Sequence, residues 1–189
     1  MNLIGTKNLY TQRLLLRRFT LNDAQSMFEN YCHDEDVCKY LTWNPHKDID
    51  ETKELLTDVF TKYNDTTYRW AITLLDNPDK GVIGSIDMVK LDVENGVAEF
   101  GYCVSKEFWN KGIMTEAYKT VIEFFFNELK GLKVESCFQI GNFASEQVMI
   151  KCGLKKSGRR EEATLPLKNK KVIIQYYYID KITFVNNNY

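Results

Sequence analysis

AEFGYCVSKEFWNKGIMTEA, residues Ala98–Ala117, is the stretch whose reading decides the fold. Its first half, within VAEFGYCVS, reads as a strand. Its second half is a glycine-containing loop, EFWNKGIMTEA, that opens a helix. Such a junction can aim successive backbone N–H groups, and the positive end of the helix dipole, at a phosphate. Gly112 lets the backbone come close to a ligand. The same glycine would also serve merely to turn a strand into a helix. The loop has neither the GxxxxGK[ST] of an NTPase nor the GxGxxG of a dinucleotide fold, so those two nucleotide-binding folds are not indicated.

Upstream of that junction, Tyr68, Trp70, Ile72 and Leu74 alternate in YRWAITLL, as in a strand with one buried face. Asn77–Gly81 turns the chain into VIGSIDMV, and Glu94-Asn95-Gly96 turns it again into VAEFGYCVS, which predicts an antiparallel meander. RLLLRRF (Arg13–Phe19) is β-type, and Thr20–Asp23 resembles a capping box. Ala24, Met27, Phe28 and Tyr31 then follow helical spacing, and Leu55, Leu56, Val59, Phe60 and Tyr63 mark a second helix. Downstream, a helix from Thr115 to Leu129 carries Tyr118, Val121, Ile122, Phe125 and Leu129 on one stripe. VESCFQI reads as a buried strand, a further helix runs from Asn142 to a C′ glycine at Gly153, and VIIQYYYI closes a final hairpin. The order predicts a mixed α/β (α+β) domain whose mostly antiparallel central sheet carries helices on both faces. The domain spans residues 1–182, with 183–189 as a polar, frayed tail.

Composition narrows the function. The 189-residue chain is 44% hydrophobic, carries a net charge of -1 and has a pI near 6.2. It lacks the basic footprint of a general nucleic-acid binder. Five scattered cysteines without a CxxC pair suit a reduced, cytoplasmic protein. His33 and His46 have no metal-ligand spacing, so no metal is expected. Neither a signal peptide nor a membrane-length apolar run is legible, so no membrane partner is expected.

The segment Ala98–Ala117 resembles the acetyl-CoA-binding motif of the GNAT acetyltransferase superfamily, a strand ending in a Q/R-x-x-G-x-G/A loop. Trp109, Gly112 and Met114 stand at the three marked positions. Trp109 resembles the branch of ribosomal-protein N-terminal acetyltransferases called RimJ/RimL-type, whose loop often reads WGKGxxTEA. TQRLLLR (Thr11–Arg17) is similar to that branch's first strand, and NFASEQVMIKCGL (Asn142–Leu154) to its N-x-x-S…K-x-G-F segment. Asn110 replaces the usual Gly, Met114 the small sixth residue, and Leu154 the usual Phe.

The resemblance implies an acetyl-CoA-dependent N-acetyltransferase. Backbone amides of Asn110, Lys111, Gly112, Ile113, Met114 and Thr115 would hold the pyrophosphate, and Cys103, Val104 and Ser105 the pantetheine arm, in a cleft opened by a bulge that Gly101 could host. Thr115 could add a hydroxyl to the phosphate or cap the helix. Asn142 is a cap or, by resemblance, a pantetheine contact. Acyl transfer needs an unprotonated amine, and a carboxylate can take that proton. Glu99 is the candidate base, against a reading as a salt-bridged carboxylate of the sheet face. Glu161 and Glu162 are substitutes only if the last hairpin closes over the site. Ser145 could donate to the departing thiolate, or cap a helix. Tyr176, Tyr177 and Tyr178 read mostly as packing, Lys151, Lys155, Lys156, Arg159 and Arg160 as a solvated basic face, and Cys103 and Cys137 as non-nucleophilic. The expected acceptor is a protein N-terminal α-amine. Alternatives are a small amine, such as a polyamine, aminoglycoside or amino acid, and a non-catalytic acyl-CoA-binding module. The terminal strands also offer edges through which two copies could form a homodimer.

Overall fold

The computed structural model describes residues 1–186. It contains β1 (Leu9–Tyr10), β2 (Leu14–Arg17), α1 (Ala24–Met27), α2 (Glu35–Cys38), α3 (Ile49–Thr61), β3 (Arg69–Leu74), β4 (Val82–Asp92) and β5 (Val97–Val104). After these come α4 (Ile113–Asn127), β6 (Lys133–Gln139), α5 (Phe143–Lys151), β7 (Lys155–Leu165), β8 (Lys170–Asp180) and α6 (Lys181–Asn186). The strands form one eight-stranded sheet in the order β1-β2-β3-β4-β5-β6-β8-β7. Neighbours run antiparallel, with one exception. β5 and β6 are parallel, and a parallel pair needs a crossover, which α4 supplies.

Helices cover both faces. On one, α4 buries Tyr118, Val121, Ile122 and Phe125 against Trp70, Ile72 and Phe100. On the other, Met27, Tyr31, Leu56 and Val59 pack over Ala71 and Val82. β3 is therefore buried on both faces rather than the one its alternation suggested. Trp70 and Ile72 are turned to one core and Ala71 to the other, all fully buried.

Several boundaries differ from the sequence reading. The spacing of Ala24 to Tyr31 is kept, but the helix widens into a π turn over Phe28–Cys32. In α3, Leu56 and Val59 are buried while Leu55 and Phe60 are exposed, so the apolar stripe is narrower than its composition. Asp23 does complete the capping box, accepting from Thr20 N–H at 2.7 Å, and it also accepts from Nη1 and Nη2 of Arg17, each at 2.8 Å. The expected frayed tail is corrected for residues 183–186. They belong to α6, because Phe184 is buried against Phe126 with ring centroids 4.6 Å apart. Residues 187–189 of that tail lie outside the described residues.

Candidate active site

The site begins where β5 leaves β6. The two strands pair only from Val97/Lys133 to Phe100/Ser136. There the Ser136 hydroxyl donates to the Phe100 carbonyl at 2.7 Å and also contacts Tyr118 Oη at 2.7 Å. A side chain thus occupies the acceptor that the next rung of the ladder would use, and the strands part. On its other edge β5 stays on β4, with Ser105 N–H donating to the Ile83 carbonyl at 2.8 Å. Amides alternate in direction along a strand. Cys103 and Ser105 therefore spend theirs on β4, and Tyr102 and Val104 turn theirs toward the gap. Of the expected pantetheine run Cys103–Ser105, only Val104 turns its amide to the gap, and Tyr102, outside that run, does so too. Trp109 Nε1 donates to the Val104 carbonyl at 3.0 Å, folding the loop back against the strand end.

The bulge is also displaced. The register slips in β4 between Met88 and Lys90, opposite Phe100 and Glu99, rather than at Gly101. The glycine that this strand pair requires is Gly84, where a Cβ would lie 2.5 Å from the Cys103 carbonyl oxygen.

Beyond β5, Asn110 has φ +59° and Gly112 φ +75°. Asn tolerates the left-handed region better than most residues, which explains how Asn110 can replace a glycine. α4 starts at Ile113 with Gly112 at its N-cap position and no side-chain cap. Thr115 lies inside the first turn, so it is not the cap. Ile113 and Met114 are buried in the core, so Met114 points away from the loop and leaves the cradle open. A Cβ on Gly112 would have only Arg13 Nη2 within reach, at 3.6 Å. These backbone features fit a pyrophosphate.

The loop is held from the far edge of the sheet. Glu116, in the first turn of α4, accepts from Thr11 Oγ1 at 2.5 Å, Arg13 N–H at 3.0 Å and Arg13 Nε at 2.7 Å. Arg13 Nη1 reaches the Lys111 carbonyl at 3.0 Å. Burial alone would raise the Glu116 carboxyl, but the hydrogen bonds from Thr11 and Arg13 outweigh it and hold it below its usual value.

Asn142 caps α5, its side chain accepting from Ser145 N–H at 3.3 Å. Ser145 is therefore not the cap, and its hydroxyl donates to Tyr102 Oη at 3.1 Å, while Tyr102 donates to the Ser145 carbonyl at 3.0 Å. Burial pushes the Tyr102 phenol up, so it stays protonated.

On the opposite side of the gap lies a chamber of about 760 Å³. Glu99, Cys103, Asn142 and Ser145 line it, as do three residues the sequence reading missed: Tyr31, Asp87 and Tyr102. Glu99 Oε2 pairs with Lys90 Nζ at 3.0 Å, and its side chain is only 12% exposed. Desolvation among the surrounding groups pushes the Asp87 carboxyl up to about 6 against the opposing pull of Arg69 and Ser85. Burial pushes the Cys103 thiol up to about 11 and Cys137 to about 12, which disfavours a thiolate nucleophile.

The final hairpin does roof the chamber, through Leu165, Val172 and Ile174. Its turn is tied down where Asn44 Nδ2 donates to the Leu167 carbonyl at 2.7 Å and Lys168 Nζ to the Cys38 carbonyl. Glu161 and Glu162 do not reach inside. Glu161 accepts from Tyr176 Oη at 2.6 Å and Glu162 pairs with Lys171. The other tyrosines of that strand are likewise engaged, Tyr177 with Glu146 and Tyr178 beneath Lys133. Lys151, Lys155, Lys156, Arg159 and Arg160 are exposed.

Residues 13–155 match the family described as the acetyltransferase (GNAT) domain. The chain belongs to this family. GNAT acetyltransferases use acetyl-CoA, and this domain is an acetyl-CoA-dependent N-acetyltransferase. It is 29% identical to the uncharacterized N-acetyltransferase p20 of Bacillus licheniformis, across 80% of this chain and 84% of that one. It is 36% identical to the "putative ribosomal N-acetyltransferase YdaF" of Bacillus subtilis, over 44% of this chain and 46% of that one. Its fold superposes on a GNAT-family acetyltransferase from Bacillus anthracis with a TM-score of 0.78, at 24% identity, covering 92% of this chain and 98% of that one. Among the described residues no helix of this GNAT domain is long and apolar enough to cross a membrane.

Proposed function

We propose that the enzyme acetylates the α-amine of a protein or peptide N-terminus, as the RimJ/RimL-type resemblance implies. The observation that carries the reading is the gap between β5 and β6. It joins the Asn110–Thr115 loop on one side of the sheet to the chamber on the other, so that a thioester entering from the loop meets an amine from the chamber. The likeness to YdaF over part of the chain supports a protein acceptor.

In this reading Glu99 takes a proton from the acceptor ammonium, and the freed nitrogen attacks the thioester carbonyl carbon. The C–S bond then breaks. The departing thiolate is met by the Ser145 hydroxyl, which turns its proton from the Tyr102 oxygen, its acceptor in the structure, to the sulfur. Donors placed where charge develops favour the transition state over the ground state. The ammonium loses two protons overall: Glu99 holds the first, and the second leaves the attacking nitrogen to replace the one that Ser145 gives to the thiolate.

One observation favours a small amine as the second reading. The ties from Asn44 and Lys168 fasten the hairpin turn to the Cys38–Asn44 segment and narrow the way into the chamber. Acetyl-CoA consumption by the purified enzyme, measured against a peptide panel and a small-amine panel with products identified by mass spectrometry, separates the two. Acetylation of peptide α-amines alone supports the first reading, and of small amines alone the second.

A further inference from the structure

Asp87 is the unexpected group in the chamber. It sits on the same sheet face as Glu99, directly across from Gly101. Because Gly101 has no side chain, the residue directly across on β5 leaves the carboxylate uncovered, and 30% of the Asp87 side chain stays open to the chamber. Diagonal neighbours on a sheet face stand roughly 7–8 Å apart, which sets the scale of the separation between Asp87 and Glu99. Asp87 has one ion partner among the described residues, Arg69, whose Nε stays 3.9 Å away and outside hydrogen-bond range. Ser85, on the same strand, hydrogen-bonds the carboxylate, and the other groups facing it are Tyr31 from the π turn, Tyr63 after α3 and Cys103 from β5.

Tyr31 supplies the second, independent observation. Its ring is 2% exposed, it lines the same chamber, and its hydroxyl has no hydrogen-bond partner. A buried hydroxyl without a partner is costly, and a largely desolvated carboxylate held by Ser85 and a cation 3.9 Å away keeps most of its charge uncompensated. Two such groups at one end of an apolar bowl formed by Phe19, Met27, Leu56 and Val59 make a polar seat awaiting a ligand group.

We propose that Asp87 and Tyr31 anchor a second, cationic amine of the acceptor, carried on an apolar stem of about five atoms from the amine that is acetylated. The proposal rests on the transferase reading above and specifies its substrate. Asp87 accepts from the ammonium, the Tyr31 oxygen accepts a further N–H, and the aliphatic wall packs the stem. A peptide beginning with lysine and a free diamine present the same chemistry.

Two matched pairs test it: peptides differing only in lysine or norleucine at the first position, and 1,5-diaminopentane against pentylamine. The wild-type enzyme is expected to favour the cationic member of at least one pair by about tenfold or more in kcat/KM, the scale of a hydrogen bond to a charged group. Which pair shows the preference identifies the source. Asp87→Asn should bring the ratio close to one while acetyl-CoA still raises Tm. Tyr31→Phe should lower it by a smaller factor. The preference should also fade as pH drops through about 6, because the carboxyl that titrates there is then neutral. Turnover without preference in the wild type overturns the anchor and leaves the transferase reading intact, as does an unchanged ratio in Asp87→Asn. If that variant does not fold, the wild-type ratio and Tyr31→Phe decide. Absence of turnover with all four amines, while acetyl-CoA still binds, overturns the anchor; failure across the wider panels as well removes the transferase reading.

Discussion

The Ser145 hydroxyl donates to the Tyr102 phenol at 3.1 Å, and that phenol donates back to the Ser145 carbonyl at 3.0 Å. This reciprocal pair spans the gap between α5 and β5, and it leaves the serine free of capping duty because Asn142 holds that role. Ser145→Ala should therefore lower kcat more than it weakens acetyl-CoA binding, with little change in Tm. Asn142→Ala should do the reverse, costing about 1 kcal/mol of stability as a lost cap. Steady-state kinetics with thermal melts on both variants checks the division. A Ser145→Ala enzyme with normal kcat would remove the leaving-group role.

Gly112 is left-handed at the start of α4. Native-state binding stabilises by about 2.7 kcal/mol at a hundredfold ligand excess over Kd, so acetyl-CoA should raise Tm clearly and NAD and ATP much less. Gly112→Glu should abolish the shift, since it strains the backbone and puts a negative charge at the phosphate cradle. An undiminished shift in that variant would place the cofactor elsewhere.

Glu99→Gln tests the base. The near-isosteric change should keep acetyl-CoA affinity and lose about 10²–10⁴-fold in rate at neutral pH. Raising pH should partly restore it, because an α-amine is mostly neutral above about 8. A wild-type rate in the variant would leave Glu99 as the ion partner of Lys90 only.

Glu116 is a positioning residue for the cofactor loop. Glu116→Gln keeps its size but weakens the grip on Arg13, so the Kd for acetyl-CoA should rise severalfold with kcat nearly unchanged. Its folded carboxyl lies below the usual value. The stabilisation it contributes is therefore complete above about pH 4.3 and disappears as pH falls through the lowered folded value. Calorimetry of acetyl-CoA binding in both proteins reads the effect directly.

Much of the fold was legible because its signals are local. The stripe from Tyr118 to Phe125, the turns at Asn77–Gly81 and Glu94–Gly96, and the cap at Asn142 all depend on residues close in sequence. The loop Asn110–Thr115 was legible for the same reason. What escaped depends on residues brought together from afar. Asp87 and Tyr31 share a chamber only after α1 packs on the sheet, and strand parity, which gives Tyr102 rather than Cys103 to the gap, depends on the register with β4. Burial of β3 on both faces was hidden because Ala71, small and between two large residues, is itself a core position. Thr11, Arg13 and Glu116 lay within the quoted motifs, but their contact joins residues 103 to 105 positions apart.

That last contact has a consequence for how the molecule responds to its ligand. The Arg13 amide and the Glu116 carboxylate are 103 positions apart in the chain, and Arg13 belongs to the short edge of the sheet, where strands are most prone to open. Coupling between two sites is reciprocal. If docking of that edge tightens the grip on acetyl-CoA, then acetyl-CoA must lower the population of the open edge by the same factor. Amide hydrogen exchange in Leu9–Arg17 should therefore slow when the ligand is added, although that segment lies outside the chamber. An extension or deletion at the N-terminus would be felt first as a change in cofactor affinity, before any change in the chemistry.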